Sequence, residues 1–183
     1  SGVELLAAWD GHGMTSTQSH RMLFENFHAT RLAFPGDERR KIIAGMDRPQ
    51  GAFFVAVITG IVEVAVATAR QQLDSKRHRM RSYEEVEWAK VEIDAWMVQQ
   101  SYEGMLREVE RGSAPARNTL LAKEAVAELA ESLLLRISKI IGGGAYSRHA
   151  PYGFWLEDVR ALGFLRPPWP LAYERVFQGS WDT

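Results

Sequence analysis

A 26-residue amphipathic stretch, Ala116–Ile141, stops abruptly at Gly142-Gly143-Gly144, and this break constrains the chain more than any other feature. Val126, Leu129, Ala130, Leu133, Leu134, Ile137 and Ile140 recur at helical spacing, while Lys123, Glu124, Glu128, Glu131 and Arg136 fall off that face. One helix with one buried stripe is the reading. A helix stop needs a single glycine in the left-handed region. Three in a row point further, to a ligand that approaches main-chain amides with no Cβ in the way. The spacing fits neither the dinucleotide fingerprint nor the phosphate loop, and no strand precedes it.

The flanking segments extend the helical pattern. Helix one is predicted over Gln50 to Asp74. It is apolar on most faces (Phe53, Phe54, Val57, Ile61, Val64), as a helix contacted from several sides would be. A second helix begins at Ser82, read as its N-cap, with Glu84 and Glu85 at the positive end of the dipole. Its predicted inward stripe is Val86, Ala89, Ile93, Trp96 and Met97, and Gly112 and Pro115 punctuate the turn that follows. Pro151 opens a fourth helix that ends near Leu162-Gly163. Pro167-Pro168-Trp169-Pro170 forces an extended passage before a short final helix at Leu171 to Phe177. Short connections between four helices predict an antiparallel bundle. Residues 1 to about 35 differ, with short apolar runs between turn signals that read as the last strands of a sheet. A strand or two is not stable alone, so partner strands are expected elsewhere in a larger protein.

Composition narrows the chemistry. With 183 residues, 46% hydrophobic and 25% charged, the chain can bury a core. A net charge of −1 leaves no global field for nucleic acid. No cysteine is present, which removes thiolate chemistry and is compatible with the cytoplasm. The longest apolar run, residues 52–61, is too short to span a bilayer and is interrupted by Thr59 and Gly60, so a soluble protein without a membrane span is expected. The five histidines show no metal-ligand spacing, and no metal is expected.

The order of these pieces resembles the C-terminal part of the acyl-CoA dehydrogenase family from Trp9 to about Tyr173. Trp9-Asp10-Gly11-His12-Gly13-Met14-Thr15-Ser16-Thr17 is similar to the end of that family's middle β-domain. Gly60 sits within the first bundle helix, and Tyr83 to Asp94 is similar to the second. Gly142-Gly143 match the double glycine after the third helix, and Pro151 to Arg160 is similar to the helix with an Asp-x-Arg ending. The fold implied is mainly α: an antiparallel four-helix bundle of acyl-CoA dehydrogenase C-terminal type over 37–183, preceded by a short β remnant of the middle domain over 1–36.

The resemblance implies an FAD-dependent oxidoreductase acting on the Cα–Cβ bond of an acyl-CoA thioester and passing electrons to an electron-transfer flavoprotein. It also implies a homotetramer or dimer with the flavin between subunits. Cofactor contacts then fall on Lys76 or Arg77, on Lys139 where the family often has Gln, and on Gly142 and Gly143. Lys76 and Arg77 open the run Lys76-Arg77-His78-Arg79-Met80-Arg81, whose plain alternative is a solvated loop opposing a helix dipole.

Dehydrogenation requires a carboxylate base. The two positions that match the family's Glu are Gln50 and Arg166, and neither side chain can do this. Tyr173-Glu174 repeats the family's Tyr-Glu pair if Pro167 to Pro170 is an insertion, which makes Glu174 the candidate catalytic residue, with Trp169 as a candidate wall of the substrate cavity. Two alternatives stand beside the dehydrogenase: a reduced-flavin monooxygenase or inactive relative on the same scaffold, and a cofactor-free helical oligomerisation module.

Overall fold

The computed structural model describes residues 2–28, 50–111, 116–165 and 167–181. The expected domain boundary at 36/37, and Gly112 and Pro115, lie outside the described residues.

Two strands come first. β1 (Val3–Ala7) pairs antiparallel with β2 (Arg21–Phe24) in the register Val3 to Phe24 and Leu5 to Met22, with a bulge between Leu5 and Ala7. Every residue of both strands is exposed, so this hairpin has no layer beneath it among the described residues. The connection between them turns on left-handed Met14 and Gln18 around a single 3₁₀ turn, Thr15–Thr17.

Five helices follow: α1 (Gln50–Asp74), α2 (Ser82–Glu110), α3 (Ala116–Ile141), α4 (Tyr152–Ala161) and α5 (Trp169–Gln178). Val55, Ile58, Val62, Ala65 and Ala69 of α1 are buried at helical spacing against Val126, Ala130, Leu133, Leu134 and Ile137 of α3 and Val91, Val98 and Met105 of α2. Each large side chain so buried contributes about 1.5–3 kcal/mol. Arg136 of α3 joins α3 to α2 through Glu87 at 2.8 Å and Asp94 at 3.1 Å. Hydrogen bonds from Lys90 and then Arg136 hold the Glu87 carboxyl below the usual carboxylate range.

Several expectations are corrected. The inward stripe of α2 is Val91, Val98 and Met105, with Trp88, Ala95 and Tyr102 packed beside them, whereas Val86, Ala89, Ile93, Trp96 and Met97 are exposed. This helix carries two apolar faces, and periodicity alone does not say which one meets the core. Helix one is likewise buried on one side only, with Phe53, Val57 and Val64 exposed. Ala52–Asp74 is long and apolar enough to cross a membrane by length and composition, with mean hydropathy 2.2, although a part of it packs into the bundle. Lys123 and Glu124 are buried, because Lys123 Nζ bonds Glu124 Oε1 at 2.7 Å and the Pro167 carbonyl at 3.0 Å. The final helix starts at Trp169, two residues earlier than expected, with Pro170 in its first turn, where a missing N–H costs nothing. The N-cap of α2 is Arg81, whose N–H bonds the Glu84 carboxylate at 2.7 Å.

Candidate functional sites at the two ends of the bundle

α1 and α3 run the same way and α2 runs against them, so the C-terminal ends of the first two meet the N-terminal end of the third. There a cavity of about 730 Å³ is lined by Gln72, Lys76, Arg79, Lys139, Gly142 and Gly144, among others. Lys76, Arg79 and Lys139 have no ion pair among the described residues, and two negative helix ends lie beside them. Of the predicted Lys76–Arg77 pair, only Lys76 reaches this cavity. Residues 77–79 form a 3₁₀ turn, in which positions three apart eclipse, so Arg79 joins Lys76 and Arg77 turns away to a cavity shared with Arg70, Asp74 and Trp88. Arg79 was in the basic run all along; only the type of turn selects it.

Of the three glycines, Gly142 has a φ of +77°, which requires glycine. Gly142 and Gly144 line the cavity, while Gly143 does not. A Cβ built on any of the three would meet nothing within 4 Å, so their bareness answers no need of the chain's own packing. Lys139 lies in the last turn of α3 and is exposed. Gln72 was not found from sequence: Tyr152, from the start of α4, donates its hydroxyl to Gln72 Oε1 at 2.6 Å across 80 residues.

The opposite end holds a second, more apolar cavity of about 630 Å³, lined by Trp9, His12, Met14, Phe54, Glu157 and Phe164, among others. It exists because the loop of the hairpin docks on α4. The Met14 N–H donates to Asp158 Oδ1 at 2.6 Å, and Gly13 lies so close that a Cβ there would sit 2.3 Å from the Glu157 carbonyl oxygen. Asp158 is the acid of the Asp-x-Arg pattern. Arg160, also lining this cavity, pairs with Glu131 at 3.3 Å and Glu157 at 3.8 Å. The buried Lys123–Glu124 pair grips Pro167, just beyond the Phe164–Leu165 wall.

Arg166 lies outside the described residues, and Gln50 is described in its backbone only, one helical turn before Phe54. Trp169 and Glu174 line neither cavity. Trp169 packs edge-on to Tyr173 with ring centres 6.1 Å apart, and the exposed Glu174 accepts a bond from Gln178 at 3.3 Å. The partner of Tyr173 is instead Glu128, and that hydrogen bond, with some burial, pushes the phenol up to about 12. No group of three potential metal ligands occurs among the described residues.

The helical bundle has the C-terminal helical fold of the acyl-CoA dehydrogenase-type flavoproteins. Among solved structures it is similar to nitrososynthase from Micromonospora carbonacea var. africana, at 21% identity and a TM-score of 0.79, over 100% of this chain and 50% of that one. It is also similar to KijD3 in complex with FMN and dTDP-3-amino-2,3,6-trideoxy-4-keto-3-methyl-D-glucose (18%, 0.77, 98% and 48%). Podospora anserina nitroalkane oxidase is a third (15%, 0.74, 97% and 45%). The chain thus spans about half the length of the solved structures it matches, and at these identities the likeness is one of fold. No family profile and no curated protein matches its sequence.

Proposed function

We propose that the chain is the C-terminal portion of a flavin-dependent oxidoreductase that binds FAD, residues 1–36 ending a middle β-domain and 37–183 forming the bundle. The observation that carries this reading is the cavity of Lys76, Arg79 and Lys139 around a left-handed Gly142: unpaired cations and donors, with open space over the glycines, suit a diphosphate. Bound flavin would supply hydride acceptance or, once reduced, oxygen chemistry. The residues of this chain bind and orient. Lys76, Arg79 and Lys139 neutralise the phosphates, and Trp9, Phe54 and Phe164 keep water from the apolar end.

The two cavities lie at opposite ends of α1. Gln72 and Phe54 are 18 residues apart, roughly 27 Å along the helix axis. The ribityl chain between a flavin ring and its phosphate is much shorter, so one molecule does not bring its phosphates to the first cavity and its ring to the second of the same chain. That supports a homo-oligomer in which each cofactor touches two subunits, with the exposed Val86, Ile93, Trp96 and Met97 face of α2 as subunit contact. A cytoplasmic location and the absence of a membrane span remain part of the proposal, with the outward face of α1 covered by protein.

For the reaction, Glu174 stands away from both cavities, which favours a reduced-flavin monooxygenase over dehydrogenation of a thioester. Acyl-CoA dehydrogenation, with an electron-transfer flavoprotein as acceptor, is kept as a second reading because Glu157 puts one carboxylate at the apolar cavity. Anaerobic absorbance titration of the FAD-loaded protein with a panel of acyl-CoA thioesters separates the two. No bleaching of the flavin band is expected; bleaching by any thioester, abolished in Glu157→Gln, would reverse the order. Purification of a protein that takes up no flavin at all would leave only the cofactor-free module.

A further inference from the structure

We propose that Gln72 is a further phosphate-binding residue of the cationic cavity, and that Tyr152 is the positioning residue that turns the carboxamide N–H₂ of Gln72 toward the ligand. The inference rests on the diphosphate reading and adds two residues to it. A glutamine side chain carries an acceptor at one corner and two donors at the other, and nothing in its shape decides which faces out. Here the choice is made from behind. Tyr152 is 1% exposed, and its ring is held edge-on by Trp155 at 5.6 Å and 88°. A buried phenol needs a partner, and the 2.6 Å separation from Gln72 Oε1 fits O–H···O rather than N–H···O. With Oε1 engaged, the amide nitrogen is the free corner of Gln72, and it has no partner among the described residues.

Gln72, in the last turn of α1, and Lys76, two residues past its end, line the same cavity, with Arg79 a 3₁₀ turn further on. The cavity then presents the amide of Gln72, the ammonium groups of Lys76 and Lys139 and the guanidinium of Arg79, beside one acid, Glu84, whose carboxylate accepts the Arg81 N–H at 2.7 Å. A ligand that satisfies these donors is an oxyanion with several oxygens, and a diphosphate is one. Loss of the Tyr152 hydroxyl would free the carboxamide to rotate and offer its oxygen to the anion, which repels it.

ADP is the probe, and calorimetric titration of the purified protein is the measurement. Wild type binds ADP and Lys139→Met weakens it. Gln72→Ala and Tyr152→Phe each weaken binding by roughly five- to tenfold, the upper range of an ordinary hydrogen bond at a partly exposed site. The double variant is no weaker than Gln72→Ala alone, because Tyr152 acts through Gln72. A purely structural role for Tyr152 would instead lower the melting temperature and add to the effect of Gln72→Ala. Gln72→Glu, an exposed substitution that keeps the acceptor for Tyr152 and replaces the donor by an anion, loses more than tenfold. Absence of ADP binding by wild type would overturn the diphosphate reading together with this one. Binding by wild type that is unchanged in Tyr152→Phe or Gln72→Glu, or effects that add, would overturn this inference alone.

Discussion

The two ends of the bundle are built by opposite means. The cationic end is made of helix termini whose positions the core already fixes, and its cations, Lys76, Arg79 and Lys139, make no ion pair among the described residues. The apolar end exists only because distant segments are clamped there: Met14 on Asp158, Gly13 against Glu157, and Lys123, itself paired with Glu124, on the Pro167 carbonyl. Function at the first end is therefore separable from stability, whereas at the second the wall of the cavity is also the fastening of the fold.

Substitutions can break that contrast. Glu124→Leu strands the Lys123 ammonium at 2% exposure and should cost about 3–5 kcal/mol in urea unfolding, most of it recovered when Lys123→Met is added. Recovery by less than half would mean that the pair does more than cancel its own charge. Gly13→Ala forces a Cβ against the Glu157 carbonyl and should cost about 1–3 kcal/mol, with hydrogen exchange at the Met14 amide rising sharply. Retained protection at Met14 would show that the loop can shift without leaving α4.

At the other end, Lys139→Met should change stability by no more than about 0.5 kcal/mol. A larger change would mean that the cationic end is structural after all. The smallest effect is alkaline. Because Glu128 raises Tyr173 from about 10 to about 12 in the fold, its contribution is complete below pH 10 and fades as the pH climbs through 12. Phenolate absorbance of wild type minus Tyr173→Phe reads that titration, and Glu128→Gln should return it toward 10.

Much of the bundle was legible because long helices write their period into the sequence. The spans of α1 and α3 follow from uninterrupted apolar recurrence and the triple glycine. α2 shows the limit: two apolar stripes share one helix, and the choice between Val91-Val98-Met105 and Val86-Ile93-Met97 is made by what lies opposite. Lys123 and Glu124 were misplaced for a related reason, since a charge looks solvated until a tertiary partner such as the Pro167 carbonyl is known. Lys76, Lys139 and Gly142, singled out from a basic run and a glycine stop, line one cavity, while Arg79 depended on a 3₁₀ turn and Gln72 on a tyrosine 80 residues away. The Met14 to Asp158 bond, across 144 residues, left no local trace at all.

The hairpin of β1 and β2, exposed along both strands, has a colloidal consequence. Among the described residues each outer flank presents main-chain donors and acceptors with no strand beside them, and Leu5, Leu23 and Phe24 stand out from its surfaces. Two copies meeting flank to flank could extend the ladder. The bulge between Leu5 and Ala7 spoils the straight edge that such growth needs. Turbidity of concentrated solutions should therefore respond to straightening that bulge more than to any change inside the bundle.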